Sequence, residues 1–494
     1  MTAIATDDLK FRYSELLFTE IKNATDSNHF YVGIGKSDQY DSANDTIIDP
    51  VNRNKDHLEA RNNLQSLLKI AEGSMSYVVP RSNWVSGTPY ESWKDHHDGI
   101  PSNKYYVMTD NLEVFVCLEN SKSSAGDTQA STVNPSSVRA TLQQGHGIDK
   151  AFKTSDGYIW KFLYAIETAK QAAFLSSNFM PIQNQDSAGN LPGVAIATTS
   201  AQTDQAKVRK CATGGQVLGV EVVNAGGGYT GTPTITITGD GAGAAGLVVM
   251  NGTSIGHIQM IPAGKNAATT MRDSGMGSGY NFARVEISGA DDSSTTHATL
   301  RAIIGPRDGI GSLATHDLKS SSLMFNVKPA GTQSGTFNIS QDFRQISLLR
   351  NLDYTDSAVA GNRVTQGQAR VGRICKLTSG SKSLAFQTDE KITQSGGAVV
   401  GWVDYIDSDG STSLQLYYHH NERVDLKSGP FIGGQTVTGS VSGITGTVST
   451  DTETVQSGLG AIDRYSGDVL YIDNRARIER TETQTEDIKI ILSV

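Results

Sequence analysis

Cysteine, proline and tryptophan are scarce in this chain: 3, 12 and 4 of 494 residues. Cys117, Cys211 and Cys375 are too few and too widely spaced for a disulfide framework or a zinc cluster. Buried free thiols in a reducing compartment are the expectation. No run approaches the roughly 18 consecutive apolar residues that a membrane-spanning helix needs. The opening Met1-Thr2-Ala3-Ile4-Ala5-Thr6-Asp7-Asp8 lacks the basic and apolar regions of a signal peptide. Charge is sparse as well, at 19% of residues. Its balance, 42 basic against 51 acidic, argues against a chain built to grip nucleic acid. Glycine, by contrast, is abundant at 51 residues. Much glycine with little proline marks β-structure with many tight turns, not disorder. The length itself implies two or three packed units.

Helix signals concentrate near the start. After a Thr6-Asp7 cap, Asp7–Asn23 places Leu9, Tyr13, Leu16, Leu17 and Ile21 near helical spacing. A second helix is expected over Lys55–Glu72, with Leu58, Leu64, Leu67, Leu68 and Ala71 on one side and Gly73 as its stop. Strands dominate elsewhere. His29–Gly35 alternates like a strand, Tyr77–Arg81 reads as a strand ending at a proline, Pro80, and Lys104–Met108 with Leu112–Leu118 reads as a hairpin. In Gly157–Tyr164, Tyr158, Trp160, Phe162 and Tyr164 share one face and Ile159, Lys161 and Leu163 the other.

Beyond residue 200 the composition shifts, and an approximate repeat emerges. Val217–Val222, Gly226-Gly227-Gly228-Tyr229 and Ile235–Gly239 form one copy; Ser254–Gln259, Gly277-Ser278-Gly279-Tyr280 and Val285–Gly289 form the other. Each copy is strand, glycine corner with tyrosine, then strand, so a paired β-module is expected. Another β-rich stretch runs from about Arg373 to Ser457, where Asp407-Ser408-Asp409-Gly410 joins two alternating runs as a hairpin turn. A small closed or half-closed barrel would handle its edges.

Signatures of catalysis are poor. There is no phosphate-binding Gly-x-x-x-x-Gly-Lys loop, and Gly33-Ile34-Gly35 lacks the third glycine of a dinucleotide site. His96-His97-Asp98 is the best metal-like cluster, but adjacent imidazoles on an extended chain point apart, which favours a surface loop. His419-His420 shares that defect. Asp407-x-Asp409-Gly410 lacks the closing glutamate of a calcium loop. Basic residues cluster once, at Arg475, Arg477 and Arg480, beside the acidic Glu479 and Glu482. No catalytic, cofactor-binding or metal-binding residue is assigned, and the chain is expected not to be an enzyme.

Six blocks then occur in order: Phe30–Ser37, Val79–Trp84, Asp156–Leu163, Phe343–Ser347, Gly467–Arg475 and Gln484–Leu492. Together they resemble the baseplate wedge subunit of T-even-type contractile-tailed phages, over about Asp7–Ala195, Leu323–Leu352 and Gly467–Val494. The resemblance implies a mainly β fold, a mixed β-sandwich framework with a few helices, spanning 1–200, 311–372 and 458–494. Two small all-β modules, 201–310 and 373–457, would be inserted into it. It also implies a homodimer without enzymatic activity, bound to other wedge proteins and to tail-fibre proteins, in the virion tail after assembly in the host cytoplasm. A different reading is a tail-fibre adaptor or carbohydrate-binding appendage, with Trp402, Tyr405, Tyr417 and Tyr418 stacking on sugars. A polysaccharide depolymerase would need a carboxylate pair across a groove and long β-helix repeats, which are missing from the sequence.

Overall fold

A computed structural model describes residues 5–22, 28–35, 47–97, 104–142, 151–183, 200–260, 275–289, 296–329, 342–354, 363–371, 373–407, 412–420, 427, 430–450, 462–479 and 485–493. The fold is mainly β, with 44% strand against 16% helix. Two compact units divide the chain: Met1–Glu15 with Ser76–Met324 and Ile491–Val494, and Leu16–Met75 with Phe325–Ile490. The Gly-rich repeat therefore belongs to the same unit as residues 76–200, and the Arg373–Ser457 stretch to the other.

In the second unit a five-stranded antiparallel sheet combines segments from both ends of the sequence. Its order is β20 (Gln368–Arg370), β2 (Leu64–Lys69), β1 (Phe30–Gly35), β18 (Asp342–Arg350) and β28 (Asp468–Glu479). Every residue of β1 is buried, as expected for a strand covered on both faces. Gly33 is required there: a β-carbon would lie 2.5 Å from the Ser347 hydroxyl and 2.6 Å from Leu64. The outer strand β28 is kinked by two irregularities, opposite Phe343/Gln345 and opposite Leu348/Leu349. Bulges of this kind blunt an exposed edge against further pairing. The short pair β19 (Asp353–Tyr354) and β27 (Ile462–Asp463) lies in the same unit.

The helix expected over Lys55–Glu72 is half wrong. Helix α2 covers only Asn54–Asn62, and Leu64, Leu67 and Leu68 then lie in β2, paired to β1 and β20. The asparagines Asn62-Asn63 end the helix, and two ladders outweigh the local helical spacing of the leucines. Gly73 falls in a single 3₁₀ turn, Glu72–Ser74. Helix α1 (Asp7–Lys22) forms, yet it buries Phe11, Ser14, Phe18 and Ile21 while Leu9, Tyr13 and Leu16 stay exposed. The more obvious apolar stripe is thus not the packed one.

Also in the second unit, six strands form one sheet in the order β21 (Arg373–Lys376), β24 (Gln415–His419), β23 (Val400–Asp407), β22 (Lys391–Gln394), β25 (Thr436–Gly439) and β26 (Thr445–Thr447). The Thr378 amide donates to the Thr447 carbonyl (2.9 Å) and the Ser449 amide to the Lys376 carbonyl (2.8 Å), joining the two ends. The sheet is a closed barrel. Cys375, Leu377, Ile392, Val403, Leu416, Tyr418 and Val437 fill it. The turn Ser408–Gly410 lies outside the described residues.

In the first unit, the sheet β4 (Tyr106–Met108), β5 (Glu113–Glu119), β7 (Ile159–Ala165), β6 (Phe152–Lys153) carries an aromatic core of Phe115, Phe152, Tyr158, Trp160 and Phe162. Tyr164 does not join that face. A bulge between Phe162 and Tyr164 turns its hydroxyl to the Pro181 carbonyl (3.0 Å). Strand β3 (Met75–Pro80) pairs antiparallel with β8 (Phe179–Ile182), and the residues of β17 (Ser322–Val327) and β29 (Ile488–Ser493) are divided between the two units. Helices α3 (Pro135–Leu142), α4 (Thr168–Phe174), α5 (Ser200–Lys210) and α6 (Ala314–Asp317) complete the described elements of this unit outside the repeat.

The repeat folds by exchange. The first copy supplies β9 (Val217–Asn224), β10 (Thr234–Gly239), β11 (Ala242–Ala244) and β12 (Leu247–Asn251). The second supplies β13 (Ser254–Gln259), β14 (Met276–Ser278), β15 (Ala283–Ser288) and β16 (Thr299–Ile304). Every ladder joins one copy to the other: β9 to β16, β10 to β15, β11 to β14 and β12 to β13. In the middle ladder Ile235 faces Ile287 and Ile237 faces Val285, which exchanges equivalent positions of the two copies. The module thus has an internal pseudo-twofold. Its glycine corners match: Gly226 and Gly228 in one, Gly277 and Gly279 in the other, all have positive φ. Each corner tyrosine is buried and accepts a main-chain hydrogen bond, Tyr229 from Ala298 (2.9 Å) and Tyr280 from Ala244 (3.3 Å).

Candidate functional site

A groove of about 770 Å³ opens in the first unit between the start of α1, the loop around Trp93 and the segment that leaves the repeat. Its walls include Asp8, Phe11 and Arg12 from α1, Pro306 and Asp308 from that segment, and Asp317 at the end of α6. Phe11 stacks on His316 with ring centroids 4.4 Å apart, and burial lowers the His316 pKa. Lys319 donates to the His97 carbonyl (3.1 Å) and lies 3.9 Å from Asp7. Polar and apolar groups alternate around this surface, which suits a protein segment better than a small apolar ligand.

The His96-His97 pair resolves into two separate roles. His96 places Nδ1 2.8 Å from Asp95 and Nε2 3.3 Å from Glu221, a residue of β9. Lys94 donates to Glu221 (3.1 Å) and Arg301 of β16 to Asp95 (3.1 Å), so the loop is tied to the repeat by a five-residue charge network. Although burial pushes the Glu221 carboxyl up, Lys94, His96 and Arg301 together hold it below the usual range. His97 instead stacks on Tyr105 at 5.6 Å. The repeat meets the neighbouring loop closely: a β-carbon at Gly256 would run into the Ser124 carbonyl. Asp98 lies outside the described residues.

His419 and His420 take different partners, whereas the His96 and His97 rings stack with centroids 6.3 Å apart, contrary to the expectation that adjacent imidazoles point apart. His419 Nδ1 lies 2.7 Å from Asp404, and both side chains are buried. His420 Nδ1 lies 2.7 Å from the Val400 carbonyl. Asp404 reaches His419 because it is the extra residue of a bulge between Val403 and Tyr405. This dyad was not legible from spacing, since it depends on an irregularity in pairing. Among the described residues no three His, Cys, Asp or Glu side chains are grouped to hold a metal ion. Asp409 and Gly410 lie outside them.

The remaining sequence candidates are wholly or partly buried, or ion-paired. Tyr418 is fully buried against Phe431 (4.8 Å), and Tyr417 is buried beneath Arg370 (4.3 Å). Trp402 and Tyr405 are half-buried. An exposed platform of four rings therefore does not form; alternation along β23 and β24 sends Tyr418 inward with Val403. In the basic run, Arg475 pairs with Asp473 (2.6 Å) and Arg477 with Asp342 (2.9 Å), and Arg480 is not described. Cys117 and Cys375 are buried thiols, but Cys211 is exposed, because it follows α5 at its surface end. No family model matches the chain, and a comparison with curated proteins finds no match.

Proposed function

We propose that this chain is a structural connector of a contractile-tail baseplate wedge, working as a homodimer that binds other wedge subunits. The six ordered sequence blocks carry this reading. Three of them fall on β1, β18 and β28, which lie side by side in one sheet although more than 400 residues separate the first from the last. Of the other three, Asp156–Leu163 and Gln484–Leu492 run into β7 and β29, and Val79–Trp84 begins on the last two residues of β3. A connector needs rigid sheets and varied surfaces more than reactive groups, and permanent wedge contacts would be large and aromatic-rich. The repeat and the barrel would add two further surfaces to that framework. Light scattering at micromolar concentration tests the dimer. A particle of twice the 52.7 kDa chain mass is expected, and a clean monomer would count heavily against the reading.

A further inference from the structure

The groove beside α1 holds more negative charge than its own cations neutralise. Asp8, Phe11, Arg12 and Glu15 are spaced i, i+3, i+4 and i+7, so a single face of α1 forms this wall. Arg12 is already paired with Glu15 (3.3 Å), and Lys319 is engaged by the His97 carbonyl (3.1 Å) and Asp7 (3.9 Å). Asp95 is held by His96 and Arg301. The exposed carboxylates Asp8 and Asp308 have no ion pair among the described residues, against one exposed wall cation, Arg307, in the same state. A place in the first turn of α1, where a carboxylate suits the helix dipole, accounts for Asp8 but not for Asp308 on another wall.

The same groove is lined with flat rings. Phe11 and His316 stack with only 16° between their planes, and Trp93 lines the wall with Lys319 5.8 Å from its ring centre. Burial lowers the His316 pKa, and Asp8, Glu15 and Asp308 all lie close enough to oppose it. Beyond the rim, Leu9 and Tyr13 are one turn apart on the adjacent face of α1 and are 46% and 55% exposed.

We propose that this groove docks a segment of a partner protein, which lays an arginine along the aromatic wall toward Asp8 and Asp308 and covers Leu9 and Tyr13 with an apolar neighbour. A guanidinium is planar, stacks on rings and can donate to two carboxylates at once, while its stem is apolar. A free small cation would leave Leu9 and Tyr13 in water. A purely apolar ligand would cover two carboxylates without giving them a partner. Charge complementarity therefore selects a basic segment, and the net charge of −9 favours its approach. The surface would serve whatever assembly the chain joins.

The test probe is acetyl-Leu-Arg-Leu-amide, with the citrulline peptide acetyl-Leu-Cit-Leu-amide as its uncharged isostere. Each is titrated into the full chain with labelled histidine rings and followed by NMR. The arginine peptide should shift the His316 signal saturably and bind about tenfold more tightly than the citrulline peptide. Asp8→Asn combined with Asp308→Asn should remove most of that preference. Glu286→Gln, at an exposed acid outside the groove, should leave it intact. Both groove carboxylates are exposed, so the double variant should fold, and its histidine spectrum checks this. An unshifted His316 signal, equal binding of the two peptides, or an unchanged preference in the double variant would overturn the proposal. So would guanidinium chloride acting at the same concentration as the arginine peptide, since that leaves a cation site and no docked segment.

Discussion

The Gly-rich repeat and the barrel meet one problem, unpaired strand edges, in opposite ways. The barrel closes a single sheet on itself through the Thr378–Thr447 and Ser449–Lys376 hydrogen bonds. The repeat never builds a wide sheet: its ladders are four two-stranded pairs, each shared between the copies. Their cores differ accordingly. Leu377, Ile392, Leu416, Tyr418 and Val437 of the barrel are completely enclosed. In the repeat, Val222, Ile237, Val285, Ile287 and Leu300 are only partly buried around a centre that includes Ile235, Ile255, Ile258 and Tyr280. Closure concentrates stability in a few side chains, whereas exchange spreads it over many modest contacts.

That contrast can be broken by mutation, with Trp160 of the aromatic sheet as the reference. Truncating this fully buried ring should cost about 3–5 kcal/mol, a large part of a typical total of roughly 5–15 kcal/mol. Soluble yield and denaturant midpoint measure it; Trp402→Ala, on a half-buried ring, should cost clearly less. In the barrel, Leu416→Ala should cost about 2–5 kcal/mol, against about 1 kcal/mol for Ile237→Ala in the repeat. Equal losses in chemical denaturation would erase the distinction between the two cores.

A proton comparison is smaller. Burial would raise the Glu390 carboxyl, but hydrogen bonds from the Gln387, Ser442 and Val441 amides and the Ser442 hydroxyl hold it below its ordinary range. A depressed folded pKa gives stability that is present above the unfolded value and lost as pH falls through the folded one. The barrel should therefore weaken on acidification. Glu390→Gln should cost about 1–3 kcal/mol at neutral pH and flatten the acid limb of a thermal-melting series. The smallest effect tests the pseudo-twofold: Tyr229→Phe and Tyr280→Phe should each cost about 1 kcal/mol, and similarly. A large asymmetry in their melting shifts would show that the corners are not equivalent.

Much of this architecture was legible where sequence period and pairing agree. The strands at Phe30–Gly35 and Ile159–Ala165, the hairpin around Thr109-Asp110-Asn111, and the repeat with its tyrosine corners all follow from local pattern. What stayed hidden depends on distant partners. Leu64, Leu67 and Leu68 keep helical spacing, yet β1 and β20 claim them. Leu9, Tyr13 and Leu16 look like a buried stripe, but packing selects Phe11 and Phe18. The site-level features are hidden for the same reason. The Asp404–His419 contact depends on a bulge.

The central claim is a place in an assembly, so the most direct measurement is one of place. Contractile-tailed particles assembled with this chain, carrying a label inserted in the repeat module, should be imaged by cryo-electron tomography and their tails averaged. The account predicts label density in the baseplate wedges around the tail hub, in pairs. Density along the tail fibres, on the head, or nowhere on the particle would contradict it.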